Sequence, residues 1–162
     1  MRFRIGVCAC AVMGLLACGS SEEQTIEMED GGRATLQSDD EGVTVRGTTD
    51  DGEEFQARFG KQASLPEDFP EDLPVHPEAR VQGSMSMPGK GQMVTFETDE
   101  SPDEIYRFYT DGLTGQGWTI EAEMNFGGQR MVSASKDDRT ASVQVVQGDK
   151  GTQVVLTVGR ED

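Results

Sequence analysis

The sequence has one histidine, His76, one tryptophan, Trp118, and three cysteines, all within the first 18 residues. His76 sits in the stretch Pro74 Val75 His76 Pro77, with no base, nucleophile or second metal ligand beside it in sequence. Serine-hydrolase and histidine-based zinc chemistry therefore lack their central residue. Aromatic residues make up only 6% of the chain, too few for the aromatic-lined cleft that a glycosidase builds around its paired carboxylates. The longest apolar run, residues 5–16, is about half of the roughly 20 residues that cross a bilayer as a helix. Gly89 Lys90 Gly91 is too short for a phosphate loop and is read as a hairpin turn. No catalytic residue, cofactor or metal ligand is assigned, and the chain is expected not to be an enzyme.

Positive charge is also scarce: 14 Lys and Arg stand against 30 Asp and Glu, a net charge of −16. Such a surface repels nucleic acid and anionic head groups, so no nucleic-acid partner is expected. The acids are spread along the whole chain, as on a solvated face.

The N-terminus has a charge pattern of its own. Arg2 and Arg4 precede residues 5–16, which hold no charge, and after Cys18 the chain turns polar through Gly19, Ser20, Ser21, Glu22 and Glu23. This is the layout of a secretion signal. The segment Leu15 Leu16 Ala17 Cys18 Gly19 resembles the bacterial lipobox. That resemblance implies cleavage before Cys18, a diacylglycerol thioether on its sulfur, and acylation, for example by palmitate, of the new amine. It also implies a lipid-anchored address in the cell envelope, where glycine rather than aspartate after the cysteine points to the outer membrane, facing the periplasm or the surface. Two or more acyl chains anchor stably where one is marginal. Cys8 and Cys10 would leave with the signal, so the mature chain is expected to hold no disulfide.

The following divisions are expected: a signal over 1–17, a lipidated tether over 18–24, a small acidic β-meander over 25–61, a proline-rich connector over 62–78 and an α+β domain over 79–160. In the meander, residues 25–28, 33–37, 43–48 and 54–59 alternate apolar with polar side chains at strand period. Glu29 Asp30 Gly31 Gly32, Asp39 Asp40 Glu41 Gly42 and Asp50 Asp51 Gly52 separate them with turn compositions. In the connector, Leu65, Phe69 and Leu73 each precede a proline, which predicts a stiff extended segment whose apolar residues dock on a neighbouring domain.

The C-terminal part predicts an antiparallel sheet in the order β-β-α-β-β-β-β packed on one helix. Ser101 Pro102 Asp103 Glu104 is a helix start, with an N-cap, proline at the first position and glutamate three residues after the cap. Ile105, Phe108, Tyr109 and Leu113 then share one face, and Gly115 or Gly117 ends the helix. Strands are expected over 80–85, 92–98, 118–124, 130–136, 140–147 and 152–158. Trp118, Ile120, Val143, Val145, Val154 or Val155, and Leu156 are the candidate core.

Two metal readings arise. Asp39, Asp40, Glu41, Asp50 and Asp51 offer oxygen ligands for Ca²⁺ without EF-hand spacing. Met85, Met87 and Met93, and Met124 with Met131, offer thioethers for Cu(I), although methionine also fills ordinary cores.

From 65 to 158, the connector, the Ser-Pro-Asp-Glu helix start, Gly117 Trp118 and the strand Ser133 Ala134 Ser135 Lys136 resemble a group of uncharacterised bacterial lipoproteins. The resemblance implies the address and the domain boundary and carries no functional residue. The expected function is a non-catalytic interaction or structural role in the cell envelope, with membrane lipid and an envelope protein as partners. The alternative is a small-ligand or metal-binding module for Ca²⁺ or Cu(I).

Overall fold

Alternation becomes strand almost everywhere it was expected. The computed structural model describes residues 22–27, 31–61 and 63–160; the signal, Cys18 and Met28 lie outside them. Among the described residues the strands are β1 (Glu22–Glu27), β2 (Arg33–Asp39), β3 (Gly42–Thr48), β4 (Glu54–Gly60), β5 (Arg80–Met87) and β6 (Gly91–Thr98). Helix α1 (Pro102–Gly115) follows, then β7 (Thr119–Phe126), β8 (Gln129–Lys136), β9 (Arg139–Gln147) and β10 (Thr152–Arg160). The architecture is α+β: a mostly antiparallel sheet with one helix, in the expected C-terminal element order.

The meander is not a separate layer. The strands form one sheet in the order β1-β2-β3-β4-β5-β6-β10-β9-β8-β7, because β4 pairs with β5 through Gln56↔Ser86, Ala57↔Met85, Arg58↔Ser84 and Phe59↔Gly83. Glu22, Glu23 and Gln24, expected in the tether, are already strand, paired with Ser38, Gln37 and Leu36. The connector leaves after β4 and returns at β5, so it is a long excursion between adjacent strands.

Helix α1 starts as its sequence requires. Glu104 N donates to Ser101 Oγ at 3.4 Å, and Ser101 N donates back to Glu104 Oε2 at 3.3 Å. It ends in a Schellman motif, with Trp118 N donating to Leu113 O at 2.9 Å and Gly117 N to Thr114 O at 3.0 Å. Gly117 takes the left-handed φ of 83° that this cap needs. The helix lies on β7, β8 and β9, burying Ile105, Tyr109 and Leu113, while Phe108 is only partly buried against the core.

The core lies between α1 and one side of β6, β8, β9 and β10. Val94, Phe96, Val132, Val143, Val145, Val154 and Leu156 are fully buried there, each contributing roughly 1.5–3 kcal/mol by leaving water. Of the Val154–Val155 pair, alternation sends Val154 inwards. Trp118 is buried and Ile120 partly so. The connector docks as expected: Leu73 joins the core, with Leu65 and Phe69 packed against it.

Register fixes a second feature. The row Arg58–Ser84–Val94–Leu156 places the polar alternate residues of β2–β4 on the helix side of the sheet. The apolar alternates Leu36, Val45, Phe55 and Phe59 therefore face the opposite, open side. There Phe55 covers Gly47 and Phe59 covers Gly83: a Cβ at either glycine would meet the ring at 2.5 Å and 2.8 Å respectively.

Candidate functional site

The helix side of the sheet changes character along its width. From β6 through β10 and β9 to β8 it is apolar and packs in one cluster with residues of α1 and the connector. From β2 to β5 it is polar, and a cleft of about 680 Å³ opens between the strands and the connector residues Pro66, Glu67 and Asp68. Arg33, Arg46 and Arg58 line it, with Thr35, Gln56 and Ser86 among their neighbours. Three of the chain's 14 basic residues thus gather in one cleft of a molecule whose net charge is −16.

Strand pairing builds the site. Arg46 stands opposite Gln56 across β3–β4, and Thr44 opposite Arg58, so Gln56 is the cross-strand neighbour of Arg46 and the same-face neighbour of Arg58 along β4. Its amide is oriented by the surrounding donors: Oε1 accepts from Arg46 Nε at 3.0 Å and Nη2 at 3.2 Å, and from Arg58 Nη2 at 3.0 Å and Nε at 3.2 Å. The reverse orientation would set an NH₂ against four N–H groups. Arg58 Nη1 also donates to Ser64 Oγ at 3.2 Å, tying β4 to the connector. Arg33 meets Glu27 at 3.4 Å with both side chains largely exposed, a pair of little energetic weight. Neither Arg46 nor Arg58 has a carboxylate within ion-pair distance among the described residues, although Glu54, Glu67 and Asp68 lie on the cleft wall.

A second charged cluster has a different character. The Asp72 carboxylate takes two bonds from Arg139, Nη2–Oδ2 at 2.7 Å and Nη1–Oδ1 at 3.0 Å, and one from Lys136 Nζ at 2.7 Å. The Arg139 hydrogen bonds, aided by Lys136 and opposed by burial, hold its carboxyl well below the usual carboxylate range. The Asp72 carbonyl accepts from Trp118 Nε1 at 2.8 Å, and Arg139 stacks 4.9 Å over the Trp118 ring. Asp72 is thus paired with two cations of the C-terminal strands, and the cluster is a clasp for the connector.

His76 fastens the connector at a second point. It is buried, edge-on to Phe108 at 4.6 Å, with Nδ1 accepting from Glu78 N at 3.3 Å and Nε2 3.3 Å from Glu100 Oε2. The glutamate is remote in sequence, so the pairing was not legible there.

The methionines come together in part. Met85 lies directly opposite Met93, and Met124 opposite Met131; by register both pairs are on the open side, with Met87 two residues beyond Met85. The acidic turns behave locally, Asp39 Oδ1 accepting from Glu41 N and Gly42 N at 2.9 and 3.0 Å. Among the described residues, no group of three or more His, Cys, Asp or Glu side chains is placed to hold a metal ion, and no helix is long and apolar enough to cross a membrane. Sequence reasoning missed the arginine cleft. Its only signal was that Arg33, Arg46 and Arg58 occupy polar alternate positions of neighbouring strands.

Residues 79–153 match the family model described as START domain-like. The match runs from the residue before β5 to the second residue of β10 and includes α1, so it supports the α+β assignment of that part. The arginines of the cleft lie outside it; Ser84, Ser86 and Pro88 on the cleft wall lie within. No curated protein and no solved structure matches the chain.

Proposed function

We propose that the protein is a non-catalytic binding module of the cell envelope, tethered by lipid on Cys18, whose working surface is the arginine cleft and whose ligand is an anion. The observation that carries the reading is the pair Arg46 and Arg58, neighbours on one face of an acidic molecule and, among the described residues, without a carboxylate within ion-pair distance. Surface arginines in so acidic a chain find a carboxylate easily; two held apart from one are kept for a ligand. The signal layout and the lipobox resemblance support the anchor. With β1 beginning at Glu22, the chain from Cys18 reaches at most about 14 Å, so the β1 edge would lie close to the membrane.

The test has two arms. Wild-type cells fed labelled palmitate should yield a labelled protein that fractionates with membranes, and Cys18→Ser should yield an unlabelled precursor. A Cys18→Ser variant that stayed membrane-bound and normally processed would overturn the anchor. The lipid-bearing protein in detergent is then melted with phosphate, sulfate and dicarboxylates at low salt. At least one anion should raise Tm by mass action, and Arg46→Gln/Arg58→Gln should remove the shift; a panel with no shift overturns the cleft reading. Cu(I) belongs in the same panel, because the Met85–Met93 pairing supports a thioether site as a second reading. A Cu(I) shift lost in Met85→Leu/Met93→Leu would support it, and no shift would exclude it.

A further inference from the structure

We infer that the cleft takes a terminal phosphoryl group and that Gln56 is its placeholder: the amide oxygen between Arg46 and Arg58 marks where a ligand oxygen sits. This rests on the cleft being an anion site and goes on to name the chemistry.

Four N–H groups, the Nε–Nη2 edge of each guanidinium, converge at 3.0–3.2 Å on one neutral amide oxygen. That oxygen has two lone pairs, so four donors share two acceptor sites, and two positive charges meet only a dipole. Each Nε–Nη2 edge is the fork that binds two oxygens of a carboxylate or phosphate in parallel. A terminal phosphoryl group has three free oxygens and a charge of about −1.5 to −2 at pH 7, so both forks can be engaged with one oxygen shared between them and both cations balanced. A single carboxylate supplies half the charge and two oxygens. Ser84 and Ser86 hydroxyls border the same space on β5, opposite Arg58 and Gln56, as further donors to the phosphoryl oxygens. Glu54, Glu67 and Asp68 on the wall repel any ligand whose charge is spread along its length, so the remainder of the molecule must be neutral or cationic.

Displacing Gln56 is easy on this geometry. The side chain need only rotate from the row, leaving its strand pairing to Arg46 and Ser86 intact. Two substitutions separate this role from a structural one. Gln56→Glu places a permanent carboxylate between the forks, so it should occupy the site from within. Gln56→Ala empties it.

The experiment is isothermal titration calorimetry on the lipid-bearing protein in detergent at low salt, with inorganic phosphate, glycerol 3-phosphate and succinate as probes. Cosedimentation with vesicles of neutral lipid, with and without phosphatidic acid, distinguishes a lipid head group from a soluble source of the same phosphoryl chemistry. Glycerol 3-phosphate or phosphatidic acid should bind, tenfold or more weaker in Arg46→Gln and in Arg58→Gln. Gln56→Ala should bind at least as tightly as wild type. Gln56→Glu should lose binding while its Tm rises, which also shows that it folds. Binding of succinate without either phosphoryl probe would overturn the phosphoryl assignment and leave an anion cleft. Equal binding by wild type, Gln56→Ala and Gln56→Glu, with loss in the arginine variants, would overturn the placeholder alone. No binding of any probe would overturn both.

Discussion

Asp72 carries more of the tertiary structure than its place among prolines and acids predicts. It receives three charge-assisted hydrogen bonds from residues over sixty positions away. Asp72→Asn leaves Lys136 and Arg139, each about a quarter exposed, with no anion in the clasp, and should cost roughly 2 kcal/mol in urea unfolding at pH 7. The sign of its pH dependence follows from the lowered carboxyl. A depressed folded-state value stabilises fully above the unfolded value near 4 and is lost as pH falls below it. The difference between wild type and Asp72→Asn should therefore be flat from pH 5 to pH 8 and shrink below about pH 4; a constant difference down to pH 3 would show that the carboxylate charge is not what is lost. The aspartate's role was not legible in the sequence. The connector's prolines fix its backbone, but nothing local says which distant cations its acids meet.

Among the elements, α1 was the most legible, because a cap, a first-position proline and a glycine terminator act within a few residues of themselves. Its packing was less so. Gly112 faces the connector so closely that a Cβ there would lie 2.8 Å from Pro74 Cβ, whereas Gly115 has nothing within 4 Å. Helix propensity alone favours alanine at either position, by up to about 1 kcal/mol. Gly115→Ala should accordingly raise Tm, and Gly112→Ala should lower it, since the rigid Pro74 ring must shift. Thermal melts of the two variants check this, and equal gains would mean that the connector is not seated on the helix. Turns were legible too. Gly127 and Gly128 have φ of 59° and 85°, the two positive values that a two-residue hairpin turn requires, so β7 extends to Phe126 where the sequence suggested an earlier end.

At the scale of the molecule, stability is unevenly distributed along one continuous sheet. The buried apolar cluster draws on α1, the connector and the C-terminal strands, and in β1–β4 only Ala34 and Ala57 are buried apolar residues. All six residues of β1 are exposed. Amide exchange should thus show β1 and β2 opening at low free energy, β3 and β4 intermediate, and β6, β9 and β10 only on global unfolding. Uniform protection across all of these strands would contradict that gradient. The glutamates of β1 give the exposed edge a charge that discourages pairing with other chains. On the open side, Phe59, Met85, Met93 and Met124 remain between a third and just over a half exposed, and Phe126 86% exposed.

The sequence by itself determined most of the strands, the helix with its capped start, the turn positions and which strand residues alternate. These are local: propensity, capping and period act over a few residues. Tertiary structure decided which side of the sheet each alternation faces and which strands are neighbours. Because side chains repeat every two residues, the β4–β5 register alone sets whether the arginines or the valines of the meander share the helix side. That pairing made the meander four of the ten strands of one sheet, put its polar residues beside the core, and brought Arg46, Arg58 and Gln56 into one cleft.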